Sequence, residues 1–485
     1  MTQTINLRSV LHVLGFMIFI LGLMMVIPLG ISLYYQDGSS AGILFSILVT
    51  AACGSLLFLF FKHQKDLGIR DGFLIVGMGW FLMALFGALP FLFSGAIPSI
   101  TDAFFESMSG FTTTGATILT DIEKMPPALL FWRAFTHWIG GMGIIVLSLA
   151  ILPLLGVGGM QLYKAEVPGP TADKLTPRIA ETARILWLVY VGITFLEVLF
   201  LLLGGMSLLD AFCHAFATMA TGGFSTRNAS IGAFNSAYFD YVITFFMFAA
   251  GVNFALHYKF IIRKFDAYWK NFEFKTYLGI VLIAAAVITI SNLLGGVYNN
   301  FFDSVKHGLF QSVSIGTTTG FGTADYETWT SLAQILLFML MFIGGSAGST
   351  GGGMKVLRLI IVVKYTFIQL KKLIHPNAVI PLRVGNRVIP KEITLSVIGF
   401  FLLYVFLFVI VSIIMSLMGM DLLTAAGASA SCLGNIGPGL GNVGPTDHYA
   451  WMPALAKWIL ALTMMVGRLE IYTVLVIFTK GLWSK

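Results

Sequence analysis

Only 3 of the 485 residues are cysteine, at Cys53, Cys213 and Cys432, too far apart for a disulfide framework or a thiolate metal site. In apolar surroundings they read as small core residues. Charge is also scarce: Asp, Glu, Lys and Arg together make up 11% of the chain, and no stretch is polar enough to build a soluble domain. The 8 histidines show no paired ligand spacing. No Ser/His/Asp pattern is present, and no G-x-S-x-G elbow sits where a strand would lead into a helix. A membrane enzyme therefore has no chemistry to stand on, and no cofactor is expected on this chain.

What is abundant is apolar sequence. Hydrophobic residues make up 57%, and the mean hydropathy is +0.89. Apolar runs long enough to cross a bilayer as helices recur along the whole chain. They predict an all-α polytopic membrane protein with ten spans, at about 10–34, 41–61, 72–95, 128–153, 183–204, 237–262, 276–296, 330–363, 393–418 and 450–479. The first is too long for a cleaved signal peptide, lacks a small-residue cleavage site and is followed at once by a second span.

The net charge of +7 and the pI near 9.2 do not point to nucleic acid, because the basic residues are sorted by loop. Most of the 29 Lys and Arg fall on the side that carries both termini, Lys355 and Arg358 among them. Lys124, Arg133, Arg227, Lys306 and Lys457 fall on the other side. This bias predicts cytoplasmic N and C termini. The positive face would meet anionic membrane lipid or an acidic partner.

Four times, a long apolar helix leads into a short helix and a Gly/Thr-rich knot, and a second apolar helix follows. The knots are Thr112-Thr113-Thr114-Gly115, Ala220-Thr221-Gly222-Gly223, Thr317-Thr318-Thr319-Gly320 and Gly434-Asn435-Ile436-Gly437. Residues 105–115 (FESMSGFTTTG) and 310–320 (FQSVSIGTTTG) match at seven of eleven positions. The second repeat is looser and the fourth most diverged. The expected repeats are 71–160, 176–270, 271–375 and 388–485, with 1–70 forming two extra helices. Each repeat adds two spans, so all four share one orientation around an axis along the membrane normal. A Pro-containing connector, 157–182, is expected in the cytoplasm.

Irregular backbone at membrane depth survives only where protein buries it or where it lines a water-filled path. A cation entering such a path needs oxygen dipoles to replace its hydration shell. Backbone that presents successive carbonyls to one axis favours Gly, and a neighbouring Thr hydroxyl can stiffen it. Gly115, Gly223, Gly320 and Gly437 stand at the same place in each repeat. The short helices near 102–111, 209–219, 303–316 and 421–433 would aim their negative C-terminal ends at that axis. No carboxylate lies in the knots. Asp102, Glu106, Asp121, Asp210, Asp303, Asp325 and Asp421 are expected at the outer mouth, where they would concentrate cations. Tight helix packing at small residues is the competing reading, and it explains one knot more readily than four in register.

On these knots the chain resembles the Trk/Ktr/HKT superfamily of potassium transport proteins over its full length. The two extra N-terminal helices make it most similar to the bacterial Trk-type potassium uptake membrane subunit. The resemblance implies a potassium pathway through each protomer, with potassium or rubidium as substrate at the backbone carbonyls of the knots. It also implies a homodimer, a cytosolic nucleotide-binding regulatory ring, and a place in the bacterial inner membrane. In plant relatives a Ser at the first-repeat glycine goes with sodium preference; here that place holds Gly115. Gly222 and Pro438 depart from the pattern, so the filter is not expected to be fourfold symmetric.

Residues Gly344-Gly345-Ser346-Ala347-Gly348-Ser349-Thr350-Gly351-Gly352-Gly353 lie inside a predicted span, and six glycines in ten exclude a continuous helix there. The run resembles the intramembrane loop that obstructs the pore below the filter in this family. It is not a phosphate-binding loop, because Met354 separates it from Lys355, no Ser or Thr follows, and no strand precedes. Arg468 lies deep in the last span, where an Arg costs at least about 2.5–3.5 kcal/mol. Loop and charge together are read as a gate. A structural pairing with Glu470 or with a loop carbonyl is the competing role for Arg468. Asn253 is either pore-lining or a packing residue, and the helix Leu357–Leu373 is the expected dimer contact. The function expected is gated, channel-like potassium uptake. The alternative is a symporter coupled to sodium or protons, which needs buried ionisable groups along the path, and only Arg468 and Glu470 stand out as such.

Overall fold

The computed structural model describes residues 5–61, 68–150, 179–385 and 387–483; most of the expected connector 157–182 lies outside them. Two N-terminal spans come first. α1 (Leu7–Met24) runs into α2 (Val26–Tyr35), and α3 (Ser40–Phe60) returns. Four helix sets follow. The first is α4 (Ile69–Gly87), α5 (Leu89–Phe93), the short α6 (Ile100–Phe111) and α7 (Pro127–Ala150). The second is α8 (Ile179–Leu203), the short α9 (Leu208–Met219), α10 (Ala237–Ala250) and α11 (Phe254–Ile261), joined by α12 (Asp266–Lys270) to the third. The third is α13 (Phe272–Leu294), the short α14 (Phe301–Gly316), α15 (Ser331–Leu340) and α16 (Val356–Ile374). A small antiparallel hairpin, β1 (Arg383–Val384) with β2 (Arg387–Val388), leads to the fourth. That set is α17 (Lys391–Leu417), the short α18 (Leu422–Gly434), α19 (Ala454–Arg468), α20 (Tyr472–Leu475) and α21 (Lys480–Trp483).

Among the described residues, six helical stretches are long and apolar enough to cross a membrane unbroken: Leu7–Tyr35, Ser40–Phe60, Arg70–Phe93, Glu181–Leu203, Phe272–Leu294 and Lys391–Leu417. Apolar side chains on their outer faces, such as Leu33, Leu48, Leu203, Ile283 and Leu417, are exposed, as a lipid-facing surface requires. The chain is a multi-pass membrane protein.

Two of the closing spans differ from expectation, and a third is broken where the glycine run predicts. α10 and α11 meet at 102°, and the helix ending at Arg468 meets the next at 112°, where the sequence predicts unbroken helices over 237–262 and 450–479. The third closing span is split between α15 and α16 around the glycine run. In the second set, α10 stops at Gly251, and Asn253 restarts the helix as an N-cap, its Oδ1 accepting from the Ala255 N–H at 2.8 Å. In the fourth, Glu470 has a positive φ of 56°, which ends the ladder.

Each short helix begins with a side-chain cap: Ser99, Ser207, Asn300 and Asp421 each accept a backbone N–H of the first turn. Each also packs on the closing helix of the set before it. α9 lies on α7, α14 on α10, and α6 on α19. Leu337 and Leu340 of α15 share a core with Ala430 and Ile436 of the fourth set. The order closes on itself, which brings the four C-terminal ends to one place.

Candidate functional site

The knots form a ring. A Cβ built on Gly115 would overlap the carbonyl oxygen of Gly222, one on Gly223 that of Thr319, and one on Gly320 that of Ile436. On Gly437 it would lie 2.8 Å from the carbonyl oxygen of Thr114. Each glycine therefore abuts the residue before the glycine of the next set, in the cyclic order one, two, three, four, one. Four carbonyls, of Thr114, Gly222, Thr319 and Ile436, stand around one centre. The glycines have φ of +85°, +78°, +85° and +100°, conformations that other residues rarely adopt.

Two residues earlier, each strand holds a second left-handed residue: Thr113 (φ 50°), Thr221 (56°), Thr318 (62°) and Asn435 (56°). For β-branched threonine this is an outlier that costs of order 1–3 kcal/mol and persists only where its surroundings enforce it. The enforcement is visible. The N–H groups of Thr114, Gly222, Thr319 and Ile436 all reach back five residues, to the carbonyls of Ser109, Ala217, Ser314 and Ser431, at 2.8–3.0 Å. Thr112 Oγ1 meets Thr114 Oγ1 at 2.8 Å, and Thr317 Oγ1 meets Thr319 Oγ1 at 2.8 Å. Ala220 and Gly434 carry no hydroxyl for such a pair. In the fourth strand the Asn435 amide donates instead to Thr114 Oγ1 (3.0 Å) and Met464 O (2.9 Å).

At one end all four glycines border a cavity of about 110 Å³, also lined by Arg227, Asn228, Asp447 and His448. None of the seven carboxylates expected at the mouth lines it. Asp102 pairs with Lys457 at 2.6 Å, Asp210 with Arg227 at 3.2 Å and Asp121 with Lys124 at 2.9 Å. Asp303 faces Lys306 at 3.9 Å, Asp325 caps a helical turn and Asp421 caps α18. Glu106 is fully buried behind the first strand. Helix capping and pairing claim these acids; the Ser-x-x-Asp spacing at Ser99–Asp102 and Ser207–Asp210 is a sequence signature of such caps.

Glu106 belongs to a set of braces that sequence reading missed. The position nine residues before each glycine holds Glu106, His214, Gln311 and Ala428. Glu106 accepts from the Ile118 N–H at 2.9 Å and from Thr117 Oγ1 at 2.9 Å, His214 Nε2 meets Ser225 Oγ at 3.0 Å, and Gln311 donates to Ala324 O at 3.3 Å. These three each tie a short helix to chain just beyond its own glycine; Ala428 has no such group. Arg133 joins two sets: its Nε donates to Glu106 at 2.5 Å and its Nη1 to Ser225 O at 2.9 Å, with the guanidinium 3.5 Å from the centre of the Phe224 ring. Both ends of that ion pair are buried (2% and 0% exposed). Arg133→Ala should therefore lower stability by about 3–5 kcal/mol, as losing one partner of a buried pair does. Arg227→Ala, at a pair whose arginine is 41% exposed, should cost no more than about 1 kcal/mol. Thermal unfolding of the two purified variants in detergent checks the contrast.

The glycine run 344–353 lies at the other end of the strands from that cavity. Gly352 N donates to Thr318 Oγ1 at 2.6 Å, and Gly353 N to Gly434 O at 3.1 Å. Thr350 Oγ1 donates to Met219 O at 2.9 Å. The rest of the loop is anchored to the broken second set: Ser346 N donates to Gly251 O at 2.8 Å, and Gly348 O accepts from Phe254 N at 3.1 Å. Ala347 N donates to Glu273 Oε1 at 2.7 Å. Gly344 has a positive φ, Gly345 O accepts from Val356 N, Ser349 Oγ donates to Ser346 O, and Lys355 Nζ reaches Gly351 O. The loop is thus compact and bonded to sets two, three and four.

Arg468 is buried and donates to Thr350 O at 2.7 Å. Glu470 does not pair with it; Glu470 binds Arg358 at 2.8 Å, under the Phe400 ring. Arg358, placed by the sequence in a cytoplasmic loop, is 4% exposed, because the loop returns the chain to the protein interior before α16 starts. Arg133 and Lys457, assigned to outer loops, are buried too. Glu106, Arg133, His137, Glu197, His214 and Arg358 are all buried ionisable groups. The expectation that only Arg468 and Glu470 are of this kind is overturned, and scarcity of such groups does not separate a channel from a symporter.

A family model described as TrkH, cation transport protein, matches residues 38–485. The Trk system potassium uptake protein TrkH of Escherichia coli (strain K12) is 43% identical over 484 residues, covering 99% of this chain and all of that protein. The Trk system potassium uptake protein TrkG of the same organism is 36% identical over 489 residues, covering 99% of each. The crystal structure of the potassium transporter TrkH from Vibrio parahaemolyticus superposes with a TM-score of 0.91 at 39% identity, over 99% of this chain and all of that one.

Proposed function

The chain belongs to the TrkH family of cation transport proteins, and from that premise we propose that it takes up potassium across the membrane through a gated pore at the ring of knots. The observation that carries this reading is the cyclic contact of four glycines with four carbonyls. Backbone oxygens around one centre replace a cation's hydration shell without any carboxylate. The C-terminal ends of four short helices add negative potential there. The residues 112–115, 220–223, 317–320 and 434–437 are the selectivity filter in this reading. The loop 344–353 with Arg468 is the gate in this reading, a plug across the path on the inner side of the ring, supported by its bonds to Thr318 and Gly434.

The relatives' name places them in a Trk system, which fits a chain that controls its gate through a further component; we assign that role to a cytosolic nucleotide-binding ring. Potassium is cargo, and no cofactor is required. A homodimer is supported by α16, where Val363, Phe367, Leu370 and Ile374 form an exposed apolar stripe at helical spacing. The loop charges support cytoplasmic N and C termini, and the bacterial relatives support a place in the inner membrane.

Purified protein in proteoliposomes should take up rubidium, with a current that reverses at the potassium equilibrium potential whatever the sodium or pH gradient. Absence of uptake sinks the transport reading. Symport with sodium or protons is the second reading, favoured by Glu197, a fully buried carboxyl on α8 beside Thr218 of α9. A reversal potential that follows either gradient would select it.

A further inference from the structure

The second strand differs from the others at the residue before its glycine. Gly222 stands where the other strands carry Thr114, Thr319 and Ile436. Its backbone does not demand glycine, for its φ is not in the left-handed region. What forbids a side chain is His137 of α7: a Cβ on Gly222 would fall within the imidazole, against Nδ1, Cε1 and Cγ. The ring is fully buried and meets the Phe224 ring edge-on, with centroids 4.1 Å apart. Neither nitrogen has a hydrogen-bond partner among the described residues. In strands one and three the place of Gly222 is held by Thr114 and Thr319, whose hydroxyls pair with those of Thr112 and Thr317. Strand two has Ala220 and Gly222 there, and an imidazole from another helix.

We infer that His137 is a positioning residue that sets ion specificity, by packing behind Gly222 and fixing its carbonyl in the four-oxygen ring. Glycine has the freest backbone of any residue, and Gly222 O is the oxygen on which Gly115 rests. Without the imidazole, a void would open behind that one carbonyl and let it turn. A ring with one mobile oxygen can close on sodium as well as on potassium. His137 reaches no ion in this scheme; it acts as a wall, so its volume matters and its basicity does not. The inference rests on the potassium-pore reading.

The test is rubidium uptake with sodium competition in proteoliposomes, for the parent protein and for His137→Ala, Gly222→Thr, the double variant and His137→Gln. His137→Ala should still take up rubidium while its preference over sodium falls roughly tenfold, a change of about 1.4 kcal/mol. Gly222→Thr should lose uptake with the imidazole in place. The double variant, which fills the void with the side chain used in strands one and three, should recover most of the preference. His137→Gln, uncharged and of similar bulk, should keep it, and decides the matter if His137→Ala does not fold. Unchanged preference in His137→Ala, normal uptake in Gly222→Thr, no recovery in the double variant, or lost preference in folded His137→Gln would each overturn the inference. A parent protein that does not favour rubidium over sodium overturns the potassium-pore reading instead.

Discussion

Gly115→Ser, Gly223→Ser and Gly320→Ser should each cut rubidium uptake by roughly a hundredfold or more, and Gly437→Ser should retain the most. A side chain in the left-handed region costs about 1–2 kcal/mol by itself. At the first three sites the new Cβ would also overlap a carbonyl oxygen of the next strand. That oxygen must leave the ring, and each 1.36 kcal/mol lost at the ion's transition point is a tenfold loss in rate. At Gly437 the nearest oxygen, of Thr114, is 2.8 Å away, so a smaller movement suffices. What uptake remains in Gly115→Ser should discriminate poorly against sodium, in keeping with the resemblance to relatives that carry Ser there. Rubidium uptake with sodium competition in proteoliposomes reads both effects. Wild-type uptake and preference in Gly115→Ser would refute the ring.

Arg468→Ala should raise the basal flux of the chain alone by roughly tenfold or more. The guanidinium donates to Thr350 O, and a hydrogen bond from a charged group contributes about 1.5–3 kcal/mol, enough for a tenfold or larger shift in the closed population. Removing a fixed positive charge from beneath the ring also lowers the electrostatic barrier to a cation. Arg468→Lys keeps the charge but not the planar fork of donors, so its flux should fall between wild type and Arg468→Ala. Flux that is unchanged in folded Arg468→Ala would leave the plug closed by its backbone bonds alone, those of Gly352 to Thr318 and Gly353 to Gly434.

The repeat pattern could be read because it is local. Thr-Thr-Thr-Gly twice in register, and short helices before each knot, need no tertiary information. The glycine run 344–353 was readable as a break for the same reason. The bends after Gly251 and Arg468 were not, because apolar composition continues through both and only the cap at Asn253 and the positive φ of Glu470 end the helices. The roles of the acids escaped for a different reason. Asp102, Asp210 and Glu106 are charged and lie next to the knots in sequence, yet their partners Lys457, Arg227 and Arg133 come from 355, 17 and 27 residues away. His137 and Arg358 likewise gain meaning only from neighbours that the fold supplies, at Gly222 and Glu470. Gly222 was visible as an exception in the sequence; its cause, on another helix, was not.

The most direct measurement is a crystal structure of this protein grown or soaked with rubidium, located by anomalous scattering. The ring of carbonyls predicts a peak on the axis between Thr114 O, Gly222 O, Thr319 O and Ile436 O, outward of the 344–353 plug. Rubidium found only at surface carboxylates, with nothing among those four oxygens, would contradict it.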